Sequence, residues 1–370
     1  MVPLDNETKS RLINLASALI DQERAQILVE PQAAESGYWF GGGNIVHHNN
    51  AFYIVGRYRN AGDSRTGVGA GERGLELAVL RSNNFYGPYQ KVQSWSKTDL
   101  EINGVETVSI EGSALLVTPE RGVELFISTE KANSYPTGIE AFQKTGTGVW
   151  SIDLMAAPTI EELSPASLQT VLASNEPARL HFKDPNVFET GAGTLLGFCN
   201  HPYSWSSSNS SLALRSKDAA ACDYQLVTHD ALTRGPVWDV ACTRLTDTLG
   251  VPRLGALAEA PIMALHFYDG AECLRALDEN PSAVARPRGY SCEELGGLAY
   301  SSPMEFPKIH RLSIDRPLFV SPTGTGCSRY VSTTKTEDGI FAIWQRSESD
   351  LSQPLVGHHL PMSEVENLLG

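Results

Sequence analysis

The feature that most constrains this chain is a strand-and-turn unit that recurs five times. Its clearest part is an apolar or alternating run that breaks into Ser, Asn, Asp or Pro. The runs are LELAVLRSNN (75–84), SIDLMAAPT (151–159), SLALRSKD (211–218), GLAYSSPMEF (297–306) and FAIWQRSESD (341–350). Alternation followed by turn formers reads as a strand and its exit. A pair of strands precedes each run, at 44–59, 109–129, 183–198, 237–245 with 262–270, and 316–333. The hairpin turns carry Asn49-Asn50, Pro119 to Gly122, Gly191-Ala192-Gly193 and Gly324-Thr325-Gly326. These residues supply the turn conformations that hairpins need. The fourth unit is stretched by an insertion of about 15 residues between its first two strands, longer than most connections.

Five sheets of about four short strands, at roughly 50–70 residues each, predict an all-β fold, a five-bladed β-propeller. A pair of β-sandwiches is the alternative, but it leaves unexplained why each unit opens on a polar or acidic residue. Residues 5–28 stand apart. Leu12, Leu15, Ala16 and Ile20 recur at helical spacing, which predicts an amphipathic helix packed outside the propeller. The expected division is an N-terminal helical extension over 1–35 and a propeller over 36–370, with no linker inside it.

Composition narrows the partners. The 370 residues are 41% hydrophobic, with a formal net charge of −14. An acidic surface without a Lys/Arg run repels phosphate backbones, so nucleic acid is not an expected partner. The six cysteines form no C-x-x-C pair, so buried reduced thiols are expected rather than a zinc ribbon. No apolar run reaches 18 residues and no leader pattern opens the chain, so a cytoplasmic protein is expected, or a secreted one if a leader precedes Met1. Asn209-Ser210-Ser211 matches the glycosylation pattern, a short and common match.

In a propeller the innermost strands line a central channel, and their opening residues meet at one mouth. Here those residues are Asn44, Glu111, Asp184, Asp239 and Asp315. Converging carboxylates push their pKa values apart, so that one stays protonated while another stays ionised. Glycosidic cleavage needs that pair, a proton donor and an ionised carboxylate. Partial burial is expected to raise the pKa of Glu111. Trp39, Tyr38, Trp205, Tyr203 and Trp238 flank the strand starts and are candidates for stacking on sugar rings. Arg57, Arg59, Lys183, Arg244 and Arg329 are candidates for holding hydroxyls or carboxylates.

Lys183-Asp184-Pro185 before one strand, Ser109-Ile110-Glu111-Gly112 before another, and the small-residue strand ends resemble the five-bladed propeller glycoside hydrolases, the arabinanase and β-xylosidase families and the related fructan hydrolases. The resemblance covers roughly residues 36–355. It implies three acids on successive blades: a base or nucleophile, an orienting acid and a Glu proton donor. Carried over, Glu111 is the general acid, Asp184 the base or nucleophile, and Asp239 the orienting carboxylate. Asn44 stands where those families place an Asp. The related β-mannoside phosphorylases use one acid with basic residues for phosphate, and Arg57 and Arg59 suit that alternative. A propeller that binds a sugar or protein without chemistry is the third reading.

His181 and His201 are candidates for ligand contact, and the substrate-binding set is Asn44, Trp39, Arg57, Lys183, His181, His201, Trp205 and Arg329. His47 and His48 read as solvated turn residues, and His266 as core or rim. Asp269 and Glu272 read as an exposed turn, and Cys327 as a buried thiol. Glu259 is an alternative acid of the fourth blade. Gly41-Gly42-Gly43 is not a phosphate loop, because no helix or Lys-Ser/Thr follows. It reads as backbone passing close to the axis. No cofactor is expected. An axial calcium is known in some of the resembling hydrolases, but no calcium-loop pattern is present. An oligosaccharide is the expected ligand; the sequence leaves the oligomeric state open.

Overall fold

The structure is a computed structural model, described over residues 4–59, 74–272 and 294–370. Five antiparallel sheets form the blades of the propeller. The inner strand of blade I is broken into Trp39–Gly41 and Ile45–His48, both paired with Ala51–Arg59. The other inner strands are Thr107–Thr118, His181–Thr190, Cys242–Gly250 and Ser328–Lys335. Each packs beside the inner strand of the next blade, and the fifth returns to the first.

Three expectations need correction. Asn6–Leu19 is helical (α1), but Gln26–Val29 is a strand, so the predicted helix over 5–28 stops early. That strand pairs antiparallel with Leu355–Pro361 and completes blade V. The ring is thereby closed by the two ends of the chain, and the edge of the last sheet is covered. Blade V itself is shifted along the sequence. Its hairpin joins Ser328–Lys335 to Gly339–Arg346, so 341–350 belongs to the second strand and not the third. Residues 316–327 form no strand of a hairpin. In blade IV the inner strand starts at Cys242, and Trp238 and Asp239 precede it.

Asp5 caps α1, its carboxylate accepting from the Thr8 amide at 2.7 Å. Leu12, Leu15, Ala16, Leu19 and Ile20 are buried against Trp344, Ile340 and Leu360 of blade V. They also meet Val365 and Leu369 of a second helix, Met362–Leu369 (α2). Each such side chain contributes about 1.5–3 kcal/mol by leaving water. Among the described residues no helix is long and apolar enough to cross a membrane.

Blades II and III are also joined by a charge pair. Arg215 and Glu124, 0% and 2% exposed, meet through two 2.6 Å hydrogen bonds. Arg215 donates further to Ala221 O and Thr194 Oγ1. Cys199, Cys242 and Cys327 are buried free thiols, as expected, and Cys222 is partly exposed. Cys273 and Cys292 lie outside the described residues.

Candidate functional site

Every inner strand breaks register beside the axis, and that of blade II has a further break between Thr107 and Ser109. The axial breaks fall between Gly41 and Ile45, Ile110 and Ser113, Lys183 and Asn186, Leu245 and Asp247, and Arg329 and Ser332. A bulge leaves residues unpaired and re-aims their side chains. The first residue past the last regular pair is Gly42 on blade I, Glu111 on II, Asp184 on III and Tyr330 on V. Gly42, Asp184 and Tyr330 have φ of 74°, 56° and 53°. A non-glycine residue held there costs about 1–3 kcal/mol and persists only where its surroundings fix it.

By register, Gly42 and not Asn44 is the blade I equivalent of the acids. A Cβ at Gly42 would stand 2.1 Å from Arg57 Nη1, so the guanidinium fills the space a side chain would take. Asn44 is a latch: its Oδ1 accepts from the Leu115 amide and its Nδ2 donates to Leu115 O, both at 2.8 Å. Asn186 repeats the device from blade III to IV, donating to Thr246 O at 2.7 Å.

The bulges bring one charged cluster together. Arg57 donates to Glu111 and, at 3.2 Å, to Gly41 O. Asp184 Oδ1 accepts from the Gly112 amide at 3.0 Å and from the Tyr330 hydroxyl at 3.3 Å. Its Oδ2 meets Arg244 at 3.1 Å, with Lys183 Nζ 3.8 Å away. Arg244 also donates to Asp269 at 2.8 Å and to both oxygens of Glu294 at 3.0 and 2.6 Å. Arg329 closes the arrangement on Glu294 Oε2. Glu111, Glu294 and Lys183 remain 21%, 20% and 13% exposed, whereas Asp184 is at 3%. The mouth of the cluster is therefore Glu111, Glu294 and Lys183.

Electrostatics differ from expectation at Glu111. Burial raises its pKa, but Arg57 and Lys183 outweigh burial and hold it below the ordinary value. Asp184 behaves alike, with Lys183, Arg244 and Arg57 overcoming burial. Burial also opposes ionisation of Glu294, and Arg244 and Arg329 reverse it, leaving the group well below the usual carboxylate range. Asp269, read from the sequence as an exposed turn residue, is buried beneath Arg244, and burial pushes it up to about 6.

Aromatic rings wall the mouth. Lys183 Nζ lies 4.6 Å from the Trp150 ring centre and 5.6 Å from that of Trp205. Trp205 stacks on His181 at 4.2 Å and packs on His201 at 4.7 Å. His181 is wholly buried, with Nε2 3.2 Å from the Tyr135 hydroxyl, so it supports Trp205 from behind. His201 is buried with no partner at Nδ1, and burial pushes its pKa down to about 3, leaving it neutral. Trp39 carries the guanidiniums of Arg59 and Arg329 at 3.9 and 4.4 Å.

Other predicted positions lie elsewhere. Asp239 is not joined to this cluster by any hydrogen bond or ion pair among the described residues. Its Oδ2 accepts from Arg311 at 2.8 Å and from the Tyr268 hydroxyl at 3.1 Å, in the body of blade IV. Trp238 is in that blade's core, its indole donating to Ser313 O. Asp315 is an exposed loop residue, and Glu259 lies in the loop between the first two strands of blade IV. His47 and His48 end a strand instead of forming the turn, and His47 stacks on Phe52 at 4.3 Å. His266 is core, bonded to Thr248 and Ser301. Sequence reasoning missed Tyr330, Glu294 and Trp150. Tyr330 was visible as the residue after Arg329, matching Asp184 after Lys183. Glu294 precedes a strand in a loop and carries no periodic signal.

Below the cluster lies an axial cavity of about 20 Å³, lined in part by Asn44, Asn186, Thr246 and Asp247. Asn186 Oδ1 and Thr246 Oγ1 have no partner, and Asp247 Oδ2 is taken by Thr333. The space holds about one water. Among the described residues no group of three or more metal-binding side chains occurs. Burial pushes Asp247 up to about 7 from 3.8. A carboxyl whose pKa is raised by folding favours the native state while protonated and loses that contribution as pH rises through the native value. Asp247→Asn should therefore remove a fall in stability between pH 3.8 and about 7. The check is the difference between wild-type and variant melting temperatures across that range. Parallel curves would reject the assignment.

No family model matches the chain, and no curated protein matches it. Solved structures do. One described as a glycoside hydrolase superposes with a TM-score of 0.63 at 10% identity, over 96% of this chain and 95% of that one. The α-L-arabinofuranosidase from Lactobacillus brevis gives 0.57 at 10% identity, over 91% and 93%. The α-L-arabinofuranosidase PaAbf62A from Podospora anserina, in complex with cellotriose, gives 0.51 at 9% identity, over 91% and 96%. The chain thus has the fold of the five-bladed propeller glycoside hydrolases. At such identities the likeness is one of fold, and function has to be argued from the site.

Proposed function

We propose that the protein is a glycoside hydrolase acting on an oligosaccharide or furanoside at the mouth of the propeller axis. The observation that carries this reading is the cluster of Glu111, Asp184 and Glu294 from blades II to IV, walled by Trp150 and Trp205. Glu111 is the proton donor: it is partly exposed, and among the described residues only its Oε2 is engaged, by Arg57. Glu294, held ionised by two arginines, is the carboxylate that attacks the anomeric carbon or takes a proton from water. Asp184, expected as the base, is at 3% exposure against 20% for Glu294, and is better suited to orienting the other two. It takes the role first given to Asp239. In the reaction the bond from the anomeric carbon to the leaving oxygen breaks. The leaving oxygen gains the Glu111 proton, and water supplies the new hydroxyl. The names of the solved relatives, glycoside hydrolase and arabinofuranosidase, support the class of substrate.

The test is a screen of purified protein against aryl pyranosides and furanosides, beside Asp184→Asn. Cleavage of one glycoside, lost in the variant, is the expected result. Cleavage that persists in Asp184→Asn rejects the cluster as the site. Binding of sugar without turnover by wild type points to a non-catalytic propeller.

A further inference from the structure

Hydrogen-bond accounting at the mouth leaves cationic donors over. Asp184 and Glu294 have both oxygens engaged, by Gly112, Tyr330, Arg244 and Arg329. Lys183 Nζ makes no hydrogen bond to a described residue. Its nearest carboxylate is 3.8 Å away and is already paired with Arg244. Arg57 is 3% exposed, and its Nε has no partner. Buried donors are almost always satisfied, so an unmatched one marks a place where an acceptor belongs. Lys183 Nζ is 3.8 Å from Asp184, and Asp184 accepts from the amide of Gly112, the residue after Glu111, which Arg57 holds. The geometry of blade I points the same way, because Arg57 stands in the space where a side chain of Gly42 would project. A neutral sugar would fill hydrogen bonds but would leave the Lys183 ammonium without a hydrogen-bonded counterion. Its setting between Trp150 and Trp205 excludes much of the water that would otherwise solvate it.

Resting on the glycosidase reading, we propose that the ligand carries an anionic group, a carboxylate or a phosphate, which Lys183 and Arg57 receive beside Glu111. A sugar acid supplies the carboxylate as part of the substrate; inorganic phosphate supplies the second source as a separate ligand. The anion also offsets the two cations that keep Glu111 ionised, so binding favours the protonated form a proton donor requires.

The test is calorimetric titration of wild type, Lys183→Met and Lys183→Arg with glucuronate, galacturonate, glucose, galactose and inorganic phosphate. A charge-assisted hydrogen bond predicts that an acidic probe binds roughly tenfold or more tightly than its neutral counterpart. Lys183→Met should abolish that preference, Lys183→Arg should retain most of it, and added salt should weaken it. Preference for a uronate over its neutral sugar identifies a sugar acid as the source; binding of phosphate identifies the free anion. Equal affinity for acidic and neutral probes overturns the proposal, as does an unchanged preference in Lys183→Met. Thermal unfolding of both variants, expected within a few degrees of wild type, separates lost recognition from lost folding. A neutral glycoside cleaved by wild type but not by Asp184→Asn, without acidic preference, would overturn this inference and leave the glycosidase reading standing.

Discussion

Glu111→Gln should lower kcat by about 10²–10⁴-fold on substrates with poor leaving groups, the usual contribution of general acid catalysis. The amide keeps the shape and the acceptor toward Arg57 but has no proton to give. The loss should shrink sharply for nitrophenyl leaving groups, which depart without protonation. The pH profile has a definite sign. Proton donation needs Glu111 protonated, and Arg57 and Lys183 favour its ionised form in the free protein. Activity should therefore fall as pH rises through the Glu111 pKa. If the ligand brings negative charge, that fall should come at higher pH in kcat than in kcat/KM, since the first reports the complex and the second the free enzyme. A variant equally impaired on good and poor leaving groups would remove Glu111 from the role of acid.

The largest stability effect should come from Arg215. Arg215→Met leaves the Glu124 carboxylate buried without its partner, and breaking such a pair costs about 3–5 kcal/mol. The double variant Arg215→Met with Glu124→Met should recover most of that loss, because it buries no unpaired charge. Urea unfolding of wild type, both single variants and the double variant measures the coupling. A single-variant loss below about 1 kcal/mol would place the pair among ordinary surface pairs. Strand contacts hold each blade together, whereas this pair ties blade II to blade III.

The sources of the candidate site residues show what is local and what is not. Glu111 and Asp184 were readable because each lies in the first half of an inner strand, at a recognisable polar-to-apolar switch. Arg57, Lys183, Arg244 and Arg329 followed from the same alignment of units. Asp239 looked equivalent only because VWDVACTRL was taken to start the inner strand. The strand starts at Cys242, and that shift puts the carboxylate against Arg311 in the blade. Tyr330 and Asp269 enter the site through a backbone bulge and a buried arginine, which no spacing rule encodes.

The sequence by itself determined the β-class, the five units and the place where charge gathers. Alternation and turn residues are local properties, and the unit repeats them five times. Tertiary structure decided the rest. It paired Gln26–Val29 with the distant strand Leu355–Pro361 to close the ring. It moved blade V by one strand, and it set Arg57 where a blade I acid was expected. Those outcomes depend on which segments meet across the axis, and on whether a side chain there has room. Distance along the chain carries no record of either.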